Sequence, residues 1–106
     1  MAKYCSLDDV KTVLGDPDKD DWDEELEDSI ISASALVDSL LTPYDLTVSS
    51  TVPQNIKDAT AYFAAWKYRR PRDPAGAQAF WDEANKFLQV YVEAEKEDPG
   101  FRAVQP

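Results

Sequence analysis

Residues 73–97 read DPAGAQAFWDEANKFLQVYVEAEKE. Within them Ala77, Phe80, Trp81, Ala84, Phe87, Leu88, Tyr91 and Val92 recur at three- and four-residue steps, so one side of a helix collects the large apolar groups. The ends agree with that period. Asp73 followed by Pro74 opens a helix with a side-chain cap and a ring whose missing N–H costs nothing there, and Pro99-Gly100 stops it. The stretch predicts a long amphipathic helix, and it sets the pattern for the rest of the chain.

Working back towards the N-terminus, a third helix opens with Pro53 in its first turn and presents Ile56, Ala59, Phe63 and Trp66, with Tyr62 alongside. Lys67, Arg69 and Arg70 sit at its C-terminal end, where the helix dipole favours cations, and Pro71 ends it. A second helix over residues 22–41 carries Trp22, Leu26, Ile30, Ala33, Val37, Leu40 and Leu41 on one stripe and stops at Thr42-Pro43. Residues 44–52 (YDLTVSSTV) are polar and β-branched and read as a loop. The first helix is short: Ser6 caps it, Asp9 completes a box-like start, Val10, Val13 and Leu14 share a face, and Gly15 ends it. The expected fold is all-α. It is a small antiparallel bundle in which two longer helices close on a third, a short helix packs across them, and an extended loop and a short C-terminal tail complete the chain. Residues 1–98 form the helical domain and 99–106 the tail.

The chain has 106 residues, enough for one domain with a modest core, and is 43% hydrophobic and 30% charged, a globular balance. Its formal net charge of -10 is unevenly placed. Residues 1–50 hold 13 acidic and 3 basic side chains, whereas residues 51–106 hold 8 of each. A surface of that sign repels phosphate, which argues against sequence-specific nucleic-acid recognition and is compatible with DNA sliding past. With no histidine and Cys5 as the single cysteine, Cys/His zinc sites, Ser-His-Asp triads, Cys-His dyads and an internal disulfide are all excluded. The opening residues have no apolar signal region, and no uncharged run approaches the ~18 residues that span a bilayer. The expectation is a non-enzymatic protein made in a cytoplasm, with no cofactor and no membrane.

Residues 16–27 (DPDKDDWDEELE) pose the sharpest alternative. Asp16, Asp18, Asp20 and Glu27 match acidic ligand positions of an EF-hand loop. The glycine that such a loop needs for its sharp turn is Asp21, the usual apolar pairing position is Asp23, and no second hand is present. Asp20, Asp21, Asp23, Glu24 and Glu25 instead suit the N-terminus of the second helix, where the dipole favours negative charge. The stretch reads as a helix start rather than a metal site.

Other clusters have bland readings too. Glu24 with Asp28 and Asp82 with Glu83 are carboxylate pairs on helix faces, with no sign of the desolvated pocket that acid–base chemistry needs. Phe80, Trp81, Phe87 and Tyr91 have the spacing of a core stripe, although large neighbours at 80 and 81 make the apolar face wide enough to meet another subunit. Lys67, Arg69, Arg70 and Arg72 interleave with Tyr68 in the manner of a single-strand track. In so acidic a chain they are better read as an intersubunit basic patch facing a neighbour's acidic half.

Four segments then appear in a telling order. They are Ser6-Leu7-Asp8-Asp9-Val10-Lys11 with Val13-Leu14 and an Asp-rich turn; residues 26–41 (LEDSIISASALVDSLL); residues 52–59 (VPQNIKDA); and Tyr68-Arg69-Arg70-Pro71. In that order, over nearly the whole length, the chain resembles the phage head-to-tail connector family, small helical adaptors beneath the portal ring. The resemblance implies a structural virion protein of the neck between head and tail, made in the bacterial host. It implies a ring of about twelve subunits, with the portal protein on one side and a stopper or tail-completion protein on the other, around the channel through which genomic DNA passes. It also points to Phe101, Arg102, Ala103 and Val104 of the tail as the portal contact. The loop residues Asp45, Thr47, Ser49 and Ser50 become the element facing the channel or a neighbour. The competing reading is an acidic DNA-mimic inhibitor, favoured by the carboxylate run of residues 16–28 and disfavoured by the neutral second half.

Overall fold

The computed structural model of the chain describes residues 3–15, 23–48 and 50–96. These residues form four α-helices, α1 (Leu7–Leu14), α2 (Asp23–Leu41), α3 (Gln54–Arg69) and α4 (Pro74–Lys96), with one 3-10 turn at Thr42–Tyr44. No strand occurs among the described residues. The fold is the all-α bundle expected from the apolar periods. Trp22, the first residue of the expected α2 stripe, lies outside the described residues, as do Ser49 and the tail.

Local chemistry fixes the helix ends. At α1 the Ser6 hydroxyl accepts the Asp9 N–H at 3.2 Å, while the Asp9 carboxylate accepts the Ser6 N–H at 2.9 Å, which satisfies two donors that a helix start leaves open. Gly15 closes the helix in the left-handed region (φ 84°), a conformation that a side chain would strain. At α4 the Asp73 carboxylate accepts the Gly76 N–H at 3.0 Å. A Cβ at position 76 would stand 2.2 Å from that carboxylate, so the glycine makes room for the cap. Pro53 precedes α3 rather than joining its first turn: its ψ of 151° is extended, and its carbonyl accepts the N–H groups of Ile56 and Lys57 at 3.1 Å. The end of α2 also differs slightly from expectation. Pro43 sits early in the 3-10 turn instead of stopping the chain outright, and Asp45, at φ 56°, caps the turn by donating its N–H to the Thr42 carbonyl at 3.0 Å.

The central element is α3, which packs against α1, α2 and α4. Its burial explains why: besides Ile56, Ala59, Phe63 and Trp66, the structure buries Thr60, Ala61, Ala64, Ala65 and Tyr68. Small residues fill the remaining sides, letting three neighbours approach one helix. The Thr60 hydroxyl would be costly there without a partner, and it donates to the Ile56 carbonyl at 2.7 Å. Helix directions follow from the pairs that meet. Trp66 meets Trp81 at a tilt while the earlier Tyr62 stacks on the later Phe87, so α3 and α4 run antiparallel. Arg72, just past α3, reaches Glu25 at the start of α2, so those two are antiparallel as well.

The seam between α3 and α4 is aromatic. Trp81 meets Phe63 edge-on at 5.1 Å between ring centres and Trp66 at 4.6 Å, and all three are buried. Each such side chain contributes about 1.5–3 kcal/mol by leaving water, and each ring pair about 0.5–1.5 kcal/mol more. The α4 stripe expected from the sequence is thus the inner face: Ala77, Trp81, Ala84, Leu88, Tyr91 and Val92 are buried, and Phe80 and Phe87 are half-buried at its margin.

Candidate functional site

The four cations of the expected basic patch do not stand as one free surface. Lys67 and Arg70 both lie over the buried Trp66 ring, at 5.5 and 5.0 Å from its centre. Both line an open cleft of about 300 Å³ whose other wall is α2, with Glu25, Asp28, Ser29 and Ser32. Arg69 turns the other way and covers Phe80 of α4 at 5.9 Å. Arg72 is the most engaged: it stacks on Tyr68 at 4.2 Å, donates to the Tyr68 carbonyl at 2.7 Å, and donates to both Glu25 carboxylate oxygens at 2.8 and 2.9 Å. The hydrogen bond to Glu25 raises the Arg72 pKa above its ordinary value, so the charge is permanent. Much of the attraction expected between a basic patch and an acidic half is therefore met within one chain.

The acidic start of α2 is held in the same manner. Asp23 pairs with Lys11 at 2.7 Å, Glu25 with Arg72, and Glu27 with Lys3. Glu27 occupies the closing position of the EF-hand-like spacing, and its described contact is an ammonium. Asp16, Asp18 and Asp20 lie outside the described residues. Among the described residues no three His, Cys, Asp or Glu side chains gather as a metal site would require.

Sequence reasoning missed the residues that lash the N-terminus to α2. Lys11 is only 5% exposed, and its ammonium crosses from α1 to Asp23. A signal existed: Leu7, Lys11 and Leu14 share the core-facing spacing of α1. Ser34, buried on the α2 stripe, donates to the Ile30 carbonyl at 2.8 Å and accepts the Tyr4 N–H at 3.1 Å. The Tyr4 hydroxyl donates to Asp38. Burial first, then the hydrogen bond and charge of Asp38, push the Tyr4 pKa up to about 12. Cys5, beside it, is pushed up to about 12 by burial and then by the charges of Asp9 and Glu27. The thiol is held protonated, which makes it a poor nucleophile.

The loop keeps its apolar residues inward. Leu46, Val48 and Val52 pack against the core, and Asp45, Thr47 and Ser50 are exposed, so three of the four loop candidates face outward. The fourth, Ser49, and the tail candidates Phe101, Arg102, Ala103 and Val104 lie outside the described residues. A second depression of about 290 Å³ opens where α1, α3 and α4 meet. Tyr62 and Phe87 lie in it, stacked at 5.7 Å, with Asp9 and Asp58 also on its walls. No helix among the described residues is long and apolar enough to cross a membrane. No protein family, curated protein or solved structure matches the chain.

Proposed function

We propose that the chain is a structural connector of a phage neck, a subunit of a ring of about twelve copies that sits beneath the portal protein and surrounds the DNA channel. The observation that carries this reading is the order of its four connector-like segments and their places in the bundle. The first holds the capping box and body of α1, the second lies within α2, the third opens α3 and the fourth closes it. In this reading the exposed loop side chains Asp45, Thr47 and Ser50 face the channel or a neighbour, and Phe101, Arg102, Ala103 and Val104 meet the portal. A stopper or tail-completion protein binds the opposite side. An acidic exterior lets DNA move past without being gripped.

Contacts around Arg72 change how an intersubunit role for the cations is best tested. Because Arg72 already serves Glu25 of its own chain, Lys67 and Arg69 are the better pair to reverse in charge. Native mass measurement of the chain mixed with the portal protein encoded beside it is expected to give portal plus a full complement of subunits. Lys67→Glu with Arg69→Glu is expected to lower that complement while leaving the helical signal unchanged. Failure of the unaltered chain to add to the portal, together with capture of a nucleic-acid enzyme, would replace the proposal with the acidic DNA-mimic reading.

A further inference from the structure

Helix α4 carries a second stripe beside its buried one. Gly76, Phe80, Glu83, Phe87, Val90 and Ala94 follow one another at alternating steps of four and three residues, the spacing by which two helices meet along a seam. The bundle does not close over this stripe. Phe80 and Phe87 are only partly buried at the margin of the core, Ala94 is exposed, and Val90, at 52% exposed, is the one large hydrophobic side chain left open to solvent among the described residues. The stripe runs for about 27 Å along the helix axis.

One charge interrupts the stripe, and that charge identifies what covers it. Glu83 accepts a hydrogen bond from Lys86 of its own helix at 3.1 Å, and the two side chains are 43% and 71% exposed. A carboxylate accepts about four such bonds and an ammonium donates three, so both retain capacity for a further partner. Turned end for end against a copy of itself, about a point midway between residues 83 and 87, the stripe complements itself. Phe80 then lies on Val90, Gly76 on Ala94, and Glu83 beside Lys86 of the second copy. Large meets medium, small meets small, and acid meets base, twice each. A parallel pairing would instead set Glu83 level with Glu83, like charges in the middle of an apolar seam.

We infer that two copies of the chain pair antiparallel along this α4 seam, with Phe80 packed on Val90 and Glu83 joined to Lys86 on both sides of a two-fold axis. The pairing does not depend on the connector reading, because a closed pair uses one face twice whereas a ring joins two different faces.

Sedimentation equilibrium of the full chain at low salt, with the helical signal followed in parallel, tests this directly. The unaltered chain is expected to pass from the mass of one chain to that of two as concentration rises. Val90→Asp, a change at an exposed position, is expected to weaken the dimer roughly tenfold or more. Glu83→Lys alone and Lys86→Glu alone each set like charges together on both sides of the axis and are expected to weaken it by roughly tenfold. An equimolar mixture of those two variants restores both opposite-charge pairs and is expected to dimerise again, as is the chain carrying both changes. A single-chain mass for the unaltered protein up to about 1 mM would overturn the inference. So would a dimer indifferent to Val90→Asp, or a mixture of the two charge variants that keeps its helical signal and stays monomeric.

Discussion

The two sides of α3 are held by different forces. Towards α4 the contact is dry and aromatic, with Phe63, Trp66 and Trp81 buried against one another; the N-terminal part adds charge and hydrogen bonds, within itself from Lys11 to Asp23 and from Tyr4 to Ser34, and across to the end of α3 from Glu25 to Arg72. Burial of apolar area offers no charge for salt to screen or for pH to titrate, whereas half-exposed ion pairs are screened and titrate. The α3–α4 hairpin should therefore be the stable body of the protein and the N-terminal part the responsive one. The charge imbalance falls on the same division, since residues 1–50 carry the net -10.

The largest expected effect lies in the aromatic seam. Trp81→Ala removes a ring shared by Phe63 and Trp66 and is expected to cost about 3–5 kcal/mol in chemical denaturation, without dependence on salt. A loss below about 1 kcal/mol would mean that the seam collapses freely and that the contrast drawn above is false.

Alkaline pH comes next. Both Cys5 and Tyr4 have pKa values raised in the fold, from 9.0 and 10.0 to about 12. A raised pKa means that the folded state keeps its proton longer, so the stability tied to it is fully present below the unfolded pKa and is lost as pH rises towards the folded one. Stability should be level up to about pH 9 and fall between about 9 and 12, with Cys5→Ala and Tyr4→Phe together flattening the fall. Thiol labelling at pH 9 is expected to run far slower in the native chain than in denaturant; equal rates would remove Cys5 from this account.

A smaller change is expected at Asp23→Asn, about 1–2 kcal/mol, because the Lys11 ammonium is buried while its partner is 43% exposed. Amide exchange should place that loss in α1 and the start of α2, and an equal loss along α4 would contradict the division into two parts. Glu25→Gln, which leaves Arg72 its contacts with Tyr68, is expected to have the smallest effect, detectable at low salt and erased near 1 M NaCl, since both members of the Glu25–Arg72 pair are about half exposed.

Much of this architecture was legible from local chemistry. Ser6, Asp9 and Gly15 mark α1 from within a few residues of each other, and the α4 stripe needs only its own period, so neither depends on knowing the rest of the fold. The all-round burial of α3 was less accessible, because a period of 3.6 identifies one buried face, and a helix with three neighbours buries Thr60, Ala61, Ala64 and Ala65 as well. The partners of the cations were not legible at all. Arg72 and Glu25 are 47 residues apart in sequence, and composition alone makes Arg72 as available to a neighbouring subunit as to its own chain. Phe80 and Phe87 were anticipated as part of a wide apolar face of α4, but the place of Tyr62 beside them, and of Asp9 and Asp58 near by, depends on how α3 and α1 pack there.

The most direct test of the proposed function is cryo-electron microscopy of the full chain mixed with the portal protein encoded beside it. The connector account predicts a ring of this helical bundle added beneath the portal, with the loop bearing Asp45, Thr47 and Ser50 towards the channel or the adjacent subunit. A bare portal ring with the chain left as a free monomer would contradict it.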